Sequence, residues 1–323
     1  SLDFLKLVDG IGLPVGGPAN SFGKKILDKG IWHTNNIGVT PVGLFQLKID
    51  IIFCFGSNAT SSMLVTRHIE GIQNASREFR KAGQTIALVP TLGALHEGHR
   101  KQIEVARENA DAVIVSIFVD PEEFGTNEDF HQYPRVPDLD EEFCEKENVD
   151  VLFFPRVEDL YPKDQHSTYV EEFQVASGLC GISRSHHFRG VATTFIKLYH
   201  LASPDVVVIN EHQIQRMGVI QRLARDLFLP VKVLGSPLVR ESDGLAADAR
   251  NAYLNAYQRA EAKEIYQALL AGKKILDSGN TSVDRITAEV TNHLRIHRRL
   301  HVLYANVVDS VNLNKVRDIK PGS

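Results

Sequence analysis

The chain of 323 residues is 43% hydrophobic and 24% charged, and its formal net charge of −4 excludes the overall basicity of a nucleic-acid-binding protein. No apolar run approaches the ~20 residues of a membrane-spanning helix, so we expect no membrane partner either. Three widely spaced cysteines, Cys54, Cys144 and Cys180, argue against a disulfide framework and a CxxC metal site, and indicate a reducing, cytoplasmic compartment.

Residues 1–62 form an N-terminal segment that differs from the rest of the chain. It carries scattered glycines and prolines, a strand-like run that includes Ile51–Phe55, and a polar GSNATSS before Met63. No function follows from this composition. The Ile51–Phe55 run is a candidate extra strand, and one hypothesis is that it pairs with residues 302–308.

Residues 63–250 alternate short β-branched runs with helical stretches. The runs are TIALVP, AVIVSIFVD, VDVLFFP, PDVVVIN and PVKVLGSPLV. Near-continuous apolar strands separated by helices are typical of a parallel sheet that is covered on both faces. The pattern predicts an α/β fold with a doubly wound parallel sheet. Within it, residues 215–227 have helical periodicity, which places a buried stripe at Val219, Ile220, Leu223 and Leu227.

Residues 251–323 have a different texture. A long helical segment over 257–276 precedes a GNTS turn, a second helix over 283–297 and a strand-like run over 300–310. This order predicts a smaller C-terminal α+β domain that begins after Arg250.

The strongest local signal is PTLGALHEGH, residues 90–99. A strand ends at Val89, and His96 and His99 are three residues apart, so they share one face of a beginning helix. Imidazoles beside a helix N-terminus donate hydrogen bonds to phosphate oxygens and stabilise charge that develops on them. A metal pair would need further ligands at recognisable spacing, and none stands out, so no metal ligand is predicted. A purely structural role for the two histidines stays open.

Two loops carry further basic side chains. SRSHHFRGV, residues 183–191, has two histidines and two arginines around a glycine, and in VRESDGLAADARN, residues 239–251, Arg240 and Arg250 flank an Asp-Gly turn. Either loop is suited to hold an anion or to close over phosphates. Either is equally compatible with a solvated connector.

Six ordered segments give a wider resemblance. PTLGALHEGH, SIFVDPEEFG, NEDFHQYPR, VLFFP with LYP, SRSHHFRGV, and RESDGLA with RN are similar to the pantothenate synthetase (pantoate–β-alanine ligase) family of the HxGH nucleotidyltransferase superfamily. The resemblance runs from about Met63 to the C-terminus. It implies a homodimer with a Rossmann-like ATP domain over 63–250 and a lid domain over 251–323. It also implies a Mg²⁺-dependent reaction in which ATP and pantoate form pantoyl adenylate and pyrophosphate. The amine of β-alanine then displaces AMP from the adenylate.

The resemblance also implies roles for individual residues. His96, His99 and Arg250 match catalytic positions, and His99 matches the usual proton donor. The positions that match ATP-binding residues are Leu92, Gly93, His96, Gly98, His99, Glu211, Val239 and Arg250.

Several positions depart from the family pattern where substrates bind. Asp120 and Glu123 stand where the family has Asn and the pantoate-binding Gln. His212 replaces the ATP-binding lysine, Arg216 replaces a second pantoate-binding Gln, and Asp248 adds a negative charge beside a polyanion. Arg216 is expected to be able to pair with Glu123 and keep the pocket neutral.

These departures leave two alternatives to an active ligase for pantoate. One is an impaired or inactive homologue that keeps the fold as a binding or assembly module. The other is a ligase with a different acid substrate, whose carboxylate Arg216 would recognise.

Overall fold

A computed structural model describes residues 62–125, 128, 130–163 and 165–319. The N-terminal segment 1–61, and with it the Ile51–Phe55 run and its expected pairing, lies outside the described residues.

The described part of the chain is built on a six-stranded, all-parallel sheet. The strands are β1 (Leu64–Thr66), β2 (Ile86–Thr91), β3 (Ala112–Ile117), β4 (Val151–Phe153), β5 (Val206–Asn210) and β6 (Lys232–Ser236). Five of them, β2 to β6, were predicted. The edge strand β1 was missed because its three residues, Leu-Val-Thr, are too short for a periodicity to show.

The sheet order is β1-β4-β3-β2-β5-β6. From β2 the chain moves outward through β3 to β4, and then returns to the other side of β2 for β5 and β6. The predicted doubly wound arrangement is therefore confirmed. The strand order reverses between β2 and β5, and ligands of such sheets bind outside the carboxyl ends of the strands at this point.

Ten α-helices accompany the sheet in the described residues. They are α1 (Ile69–Lys81), α2 (Glu97–Asn109), α3 (Pro137–Lys146), α4 (Val157–Leu160), α5 (Cys180–Ser183), α6 (His187–Ala202), α7 (Ile214–Asp226), α8 (Ala256–Ala262), α9 (Glu264–Asp277) and α10 (Val283–Arg295). None of these helices combines the length and the apolar content needed to cross a bilayer.

Helices cover both faces of the sheet. Ile86 and Leu88 of β2 point to one face and pack in a cluster with residues of α1, α6 and α7. Ala87 and Val89 point to the other face, in a cluster with residues of α2 and α3. Because both faces are buried, the central strands are mostly apolar, which explains the near-continuous runs in the sequence.

Helix α7 corresponds to the predicted helix over 215–227. Val219, Ile220 and Leu223 are buried as expected, but the prediction for Leu227 is wrong, since 48% of it is exposed. The helix ends at Asp226, and Phe228 turns the chain with a positive φ of 54°. Leu227 therefore lies beyond the last helical residue and does not continue the buried face of α7.

The C-terminal region is a helix hairpin with its own small core. Helices α9 and α10 pack around Ala268, Leu269, Val290, Leu294 and Leu300. The predicted long helix is interrupted at Lys263, between α8 and α9. The prediction of a strand over 300–310 is wrong: the chain there forms an isolated antiparallel bridge between Val308 and Lys315. No neighbouring strand of the described chain pairs with the run.

Candidate active site

A cavity opens at the carboxyl ends of β2 and β5, where the strand order reverses. Its wall is formed by residues that follow these two strands, together with Tyr133 and the 247–250 loop. The lining residues are Pro90, Thr91, Leu92, His96, His99, Gln102, Tyr133, Asn210, His212, Gln213, Arg216, Ala247, Asp248, Ala249 and Arg250.

The turn between β2 and α2 is fixed by a glycine and a buried carboxylate. Gly93 has a φ of +84°, and a Cβ there would lie 2.9 Å from Ile117 Cγ2, so the position requires glycine. Asp140, only 2% exposed, accepts the backbone N–H groups of Ala94 (3.0 Å) and Leu95 (2.7 Å). These bonds hold the turn that delivers the two histidines to the cavity.

His96 and His99 form a reciprocal cap on α2. His96 is the N-cap residue, and its Nδ1 accepts the backbone N–H of Gly98 at 3.1 Å. The Nδ1 of His99 accepts the backbone N–H of His96, also at 3.1 Å. An imidazole nitrogen that accepts a hydrogen bond carries no proton, so each ring bears its proton on Nε2. The pair therefore offers two Nε2–H donors beside the positive end of a helix.

Burial keeps both rings neutral. It lowers the pKa of His99 to about 3, with a further contribution from His96, and it also lowers the pKa of His96. The two ring centroids are 4.1 Å apart, so a positive charge on one would oppose a charge on the other. In the ligand-free site, His99 is suited to donate a hydrogen bond rather than to transfer a proton.

Gly98 and Asn210 allow the histidine cap to approach β5. A Cβ on Gly98 would lie 2.8 Å from Cε1 of His96 and 3.1 Å from Nδ2 of Asn210. Asn210 accepts the backbone N–H of His212 at 2.8 Å and donates to the Gly98 carbonyl at 3.4 Å. The first turn of α2 is thereby joined to the end of β5 by a polar contact.

Asp248 introduces a carboxylate into the cavity wall. Its Oδ1 accepts the backbone N–H of Arg250 at 2.7 Å, and its Oδ2 lies 3.4 Å from Nε2 of His212. Burial alone would raise the pKa of Asp248, but the His212 hydrogen bond and the charge of Arg250 hold it well below its usual range. The Arg250 guanidinium lies 5.8 Å from the centre of the buried Tyr133 ring.

Arg216 and Glu123 form an ion pair, as predicted. Arg216 lies on the cavity wall, while Glu123 is only 3% exposed and lies behind it, with its carboxylate bonded to the Arg216 guanidinium. The Glu123 carbonyl contacts Nδ1 of His187 at 2.9 Å and accepts a bond from Arg184 at 3.2 Å. The two charges neutralise each other, so the cavity gains N–H donors without a net charge.

A second buried carboxylate lies close to this pair. Asp120 is fully buried and accepts hydrogen bonds from Thr194, from the Tyr161 hydroxyl (3.1 Å) and from the Glu122 backbone N–H (2.8 Å). Burial, and secondarily the negative charge of Glu123, raises the pKa of Asp120 to about 7. Near neutral pH this carboxyl is therefore partly protonated and resembles the neutral amide that the family has there.

The structure brings together half of the residues singled out from the sequence. Leu92, His96, His99, Arg216 and Arg250 line the cavity. The remaining positions, Gly93, Gly98, Glu123, Glu211 and Val239, do not line it.

Two of these outlying positions lie near the cavity without facing it. The Glu211 side chain lies beside Gly235, where a Cβ would be 2.9 Å from its Cγ, and the Val239 carbonyl accepts the Ala247 N–H at 3.0 Å. Sequence reasoning missed Asp140 and gave no role to Tyr133, although Tyr133 lies within the NEDFHQYPR segment.

Comparison with known sequences gives a consistent result. A family model described as pantoate-beta-alanine ligase matches residues 64–322. The chain is 40% identical over 257 residues to pantothenate synthetase of Thermotoga petrophila, which covers 80% of this chain and 91% of the relative. It is 42% identical over 250 residues to pantothenate synthetase of a Sulfurihydrogenibium species, covering 77% and 89% of the two chains.

Solved structures agree. The crystal structure of pantothenate synthetase from Thermus thermophilus superposes with a TM-score of 0.75 at 34% identity, covering 80% of this chain and 92% of that chain. Pantoate-beta-alanine ligase from Francisella tularensis, solved in complex with beta-gamma ATP and β-alanine, gives a TM-score of 0.64 at 31% identity over 72% and 86% of the two chains.

Proposed function

This chain belongs to the pantoate–β-alanine ligase family, and we propose that it condenses pantoate with β-alanine at the cost of ATP, through a pantoyl adenylate. The observation that carries the proposal is the pair of Nε2–H donors of His96 and His99, held at a helix N-terminus at the switch point of the sheet.

The cavity wall fits a nucleotide triphosphate. The two neutral imidazoles, held at the positive N-terminal end of α2, supply donors without a counter-charge that would have to be displaced. Because Gly98 has no side chain, the His96 ring can lie against it, which keeps the Nε2–H donor of His96 close to the helix end. Arg250 adds a cation from the opposite loop. This set of donors suits the several phosphate oxygens of a nucleotide.

The residues of the chain stabilise charge in the first step. When the pantoate carboxylate attacks the α-phosphorus of ATP, negative charge builds up on the phosphate oxygens and on the departing pyrophosphate. Preorganised donors aimed at such charge typically contribute about 10²- to 10³-fold each in rate. We expect His96, His99 and Arg250, which line the cavity, to make these contacts. An approaching polyanion also raises the pKa of His99, which enables proton transfer once ATP is bound.

The acid is expected to bind at Arg216. Because Glu123 neutralises its charge, Arg216 acts as a directed donor rather than as an unbalanced cation. A single carboxylate with neighbouring hydroxyls, as in pantoate, is compatible with such a wall. A second carboxylate on the substrate would meet no surplus positive charge at this position, which argues against a dicarboxylic acid.

Mg²⁺ fits Asp248. This ion is usually held by one or two carboxylates together with substrate phosphates. Asp248 lies on the cavity wall, ionised, two residues before Arg250 in the same loop. Asp248 would then hold the ion as a ligand, and Mg²⁺ would supply charge neutralisation for ATP.

The wider assembly belongs to the same proposal. We infer a cytoplasmic homodimer, with residues 63–250 as the ATP domain and residues 251–323 as a lid. The resemblance of the six sequence segments supports these inferences. Light scattering of the purified chain tests the dimer, and a monomer at micromolar concentration would contradict it.

Exchange of labelled pyrophosphate into ATP tests the activity directly. The full chain with Mg²⁺, ATP and millimolar pantoate should show exchange, and the exchange should disappear without pantoate. His99→Asn should lower it by about 10²-fold or more, whereas His68→Asn, a change at an exposed histidine of the α1 N-cap, should not. Absence of pantoate-dependent exchange in the unmodified chain would overturn the proposal.

The same assay separates the two alternatives. Exchange that depends on another small acid and not on pantoate would indicate a ligase with a different substrate. No exchange with any acid, together with weak, Mg²⁺-independent ATP binding in calorimetry, would indicate a binding or assembly module. The His212–Asp248 contact, which occupies the place of the family's ATP-binding lysine, is the observation that favours the latter.

A further inference from the structure

Three metal-ligating side chains meet at the end of the C-terminal hairpin, away from the cavity. Glu264 is the first residue of α9, His293 lies in the last turn of α10, and His297 follows two residues after that helix ends. Glu264 Oε2 lies 3.1 Å from Nε2 of His293 and 3.8 Å from Nε2 of His297. Among the described residues, this is the one group of three such side chains whose ligand atoms lie within 4.8 Å of one another.

These separations are close to those of a tetrahedral metal centre. Ligands at 2.0–2.1 Å from a zinc ion in tetrahedral geometry are about 3.4 Å apart. The two measured separations, 3.1 and 3.8 Å, lie on either side of that value. Two histidines four residues apart and one carboxylate form a ligand set that zinc sites use repeatedly.

The helices favour these charges. Glu264 lies at the positive N-terminal end of α9, and both histidines lie at the negative C-terminal end of α10, where a cation is stabilised. The neighbouring Arg299 does not compete for Glu264, because it donates to Glu261 through Nη1 at 2.5 Å and through its backbone N–H at 2.9 Å.

We propose that Glu264, His293 and His297 form a binding site for a divalent transition metal of the zinc type, with the fourth position open to water. Imidazole nitrogens select such ions over Mg²⁺ and Ca²⁺. The turn over 278–282 joins α9 and α10 at one end, and the three ligands lie at the other. A bound ion would therefore clip the open end of the hairpin.

Zinc titration of the full chain tests the site. The protein is stripped of metal with a chelator, dialysed, and titrated with Zn²⁺ by calorimetry, while Co²⁺ reports tetrahedral coordination through its visible absorption. Zn²⁺ should raise the midpoint of thermal unfolding. Glu264→Gln, His293→Gln and His297→Gln should each weaken binding by at least about 10-fold, because even groups behind a ligand typically contribute that much.

His301→Gln is the matched control. His301 continues the same histidine spacing but is exposed and lies outside the group, so its loss should change the affinity by no more than about twofold. Equal weakening by His301→Gln and His293→Gln would indicate loose chelation by a histidine-rich surface and overturn the proposal. Unchanged binding in Glu264→Gln would reduce the group to an ion pair and overturn it as well. His297→Gln, outside the helix, keeps the test valid if the helical variants do not fold.

Discussion

Nδ1 of His99 accepts the backbone N–H of His96 at 3.1 Å, so the two histidines of the cavity also build the N-terminus of the helix that presents them. The Nδ1 atom of each residue has a structural task, and the Nε2 atom keeps its proton as a donor. Loss of activity after replacing either histidine by alanine would therefore mix two effects. A residue that keeps the cap and removes the Nε2–H donor separates them.

His96→Asn is such a substitution. An asparagine Oδ1 caps helices well, so the free energy of unfolding should change little, whereas His96→Ala should lower it by about 1 kcal/mol. Both variants lack the Nε2–H donor and should lose about 10²- to 10³-fold in pyrophosphate exchange. Urea unfolding and the exchange assay measure the two quantities on the same preparations.

A remote cap provides the control for His96→Ala. Asn255 accepts the backbone N–H groups of Tyr257 and Gln258, both at 3.0 Å, at the start of α8. Asn255→Ala should lower stability by a similar ~1 kcal/mol and leave the exchange rate intact. If His96→Asn retained full exchange, the histidine pair would be structural only.

Asp120 should make stability depend on pH in an identifiable direction. Its pKa is about 7 in the folded chain against an ordinary 3.8, so the folded state holds the extra proton between these values. The cost of burying the ionised carboxyl is fully present above pH 7 and is relieved as pH falls towards 3.8. Asp120→Asn removes this cost, and should stabilise the chain by on the order of 3 kcal/mol at about pH 8, and by almost nothing near pH 4.

His99 acts in the opposite direction over an overlapping range. Because its folded pKa of about 3 is below its ordinary 6.5, the unfolded chain takes up the proton first, and stability is lost as pH falls through this window. In Asp120→Asn this loss is no longer offset, so acid should destabilise the variant more steeply than the parent. Urea unfolding at several pH values measures both slopes, and a stabilisation independent of pH would show that Asp120 is already ionised.

The Arg216–Glu123 pair should couple strongly in a double-mutant cycle. Arg216→Gln leaves a carboxylate that is 3% exposed without its partner, which typically costs about 3–5 kcal/mol. The double variant Glu123→Gln/Arg216→Gln restores a neutral pair, which also matches the two glutamines of the family, and should recover most of that stability. Chemical denaturation of the four proteins gives the coupling energy.

An exposed pair on α3 serves as the reference for this cycle. Lys146 Nζ lies 2.6 Å from Oε1 of Glu142, but both side chains are more than half exposed, so their coupling should stay below about 1 kcal/mol. Pantoate-dependent pyrophosphate exchange can be compared between the Arg216→Gln and Lys146→Gln variants as a second measurement. If Arg216→Gln lost as little stability as Lys146→Gln, the expected cost of leaving Glu123 as an unpaired buried charge would be contradicted.

The sheet could be predicted well from the sequence, because strands buried on both faces leave unbroken apolar runs. TIALVP overlaps β2, which continues to Thr91 rather than ending at Val89 as predicted, and β3 comprises the first six residues of AVIVSIFVD. The run over 300–310 also contains β-branched and aromatic residues, yet it forms no strand, since strand formation depends on a partner elsewhere in the chain. The local sequence of the run does not show whether such a partner strand exists.

The site was predictable where a motif is local, and not where it depends on tertiary contacts. His96 and His99 are three residues apart, so their convergence follows from helix geometry. Asp140 anchors the same turn from 45 residues away, and nothing in PDLDEEF marks it. The Glu264 contact with His293 is similarly hidden, because its partners are 29 residues apart and meet only through the packing of α9 on α10.

Asp248 has two alternative roles in the cavity: it either helps to hold Mg²⁺ or repels the phosphates of ATP. Asp248→Asn keeps an oxygen for the Arg250 N–H but removes the negative charge. If Asp248 helps to hold Mg²⁺, the variant should need a several-fold higher Mg²⁺ concentration for half-maximal exchange, while its binding of metal-free ATP should become tighter, because one repulsive charge is lost. Calorimetry with and without Mg²⁺, alongside exchange at graded Mg²⁺, measures both. Tighter ATP binding with an unchanged Mg²⁺ requirement would show that Asp248 only repels the nucleotide, and the ion would then have to be held by the phosphates and water.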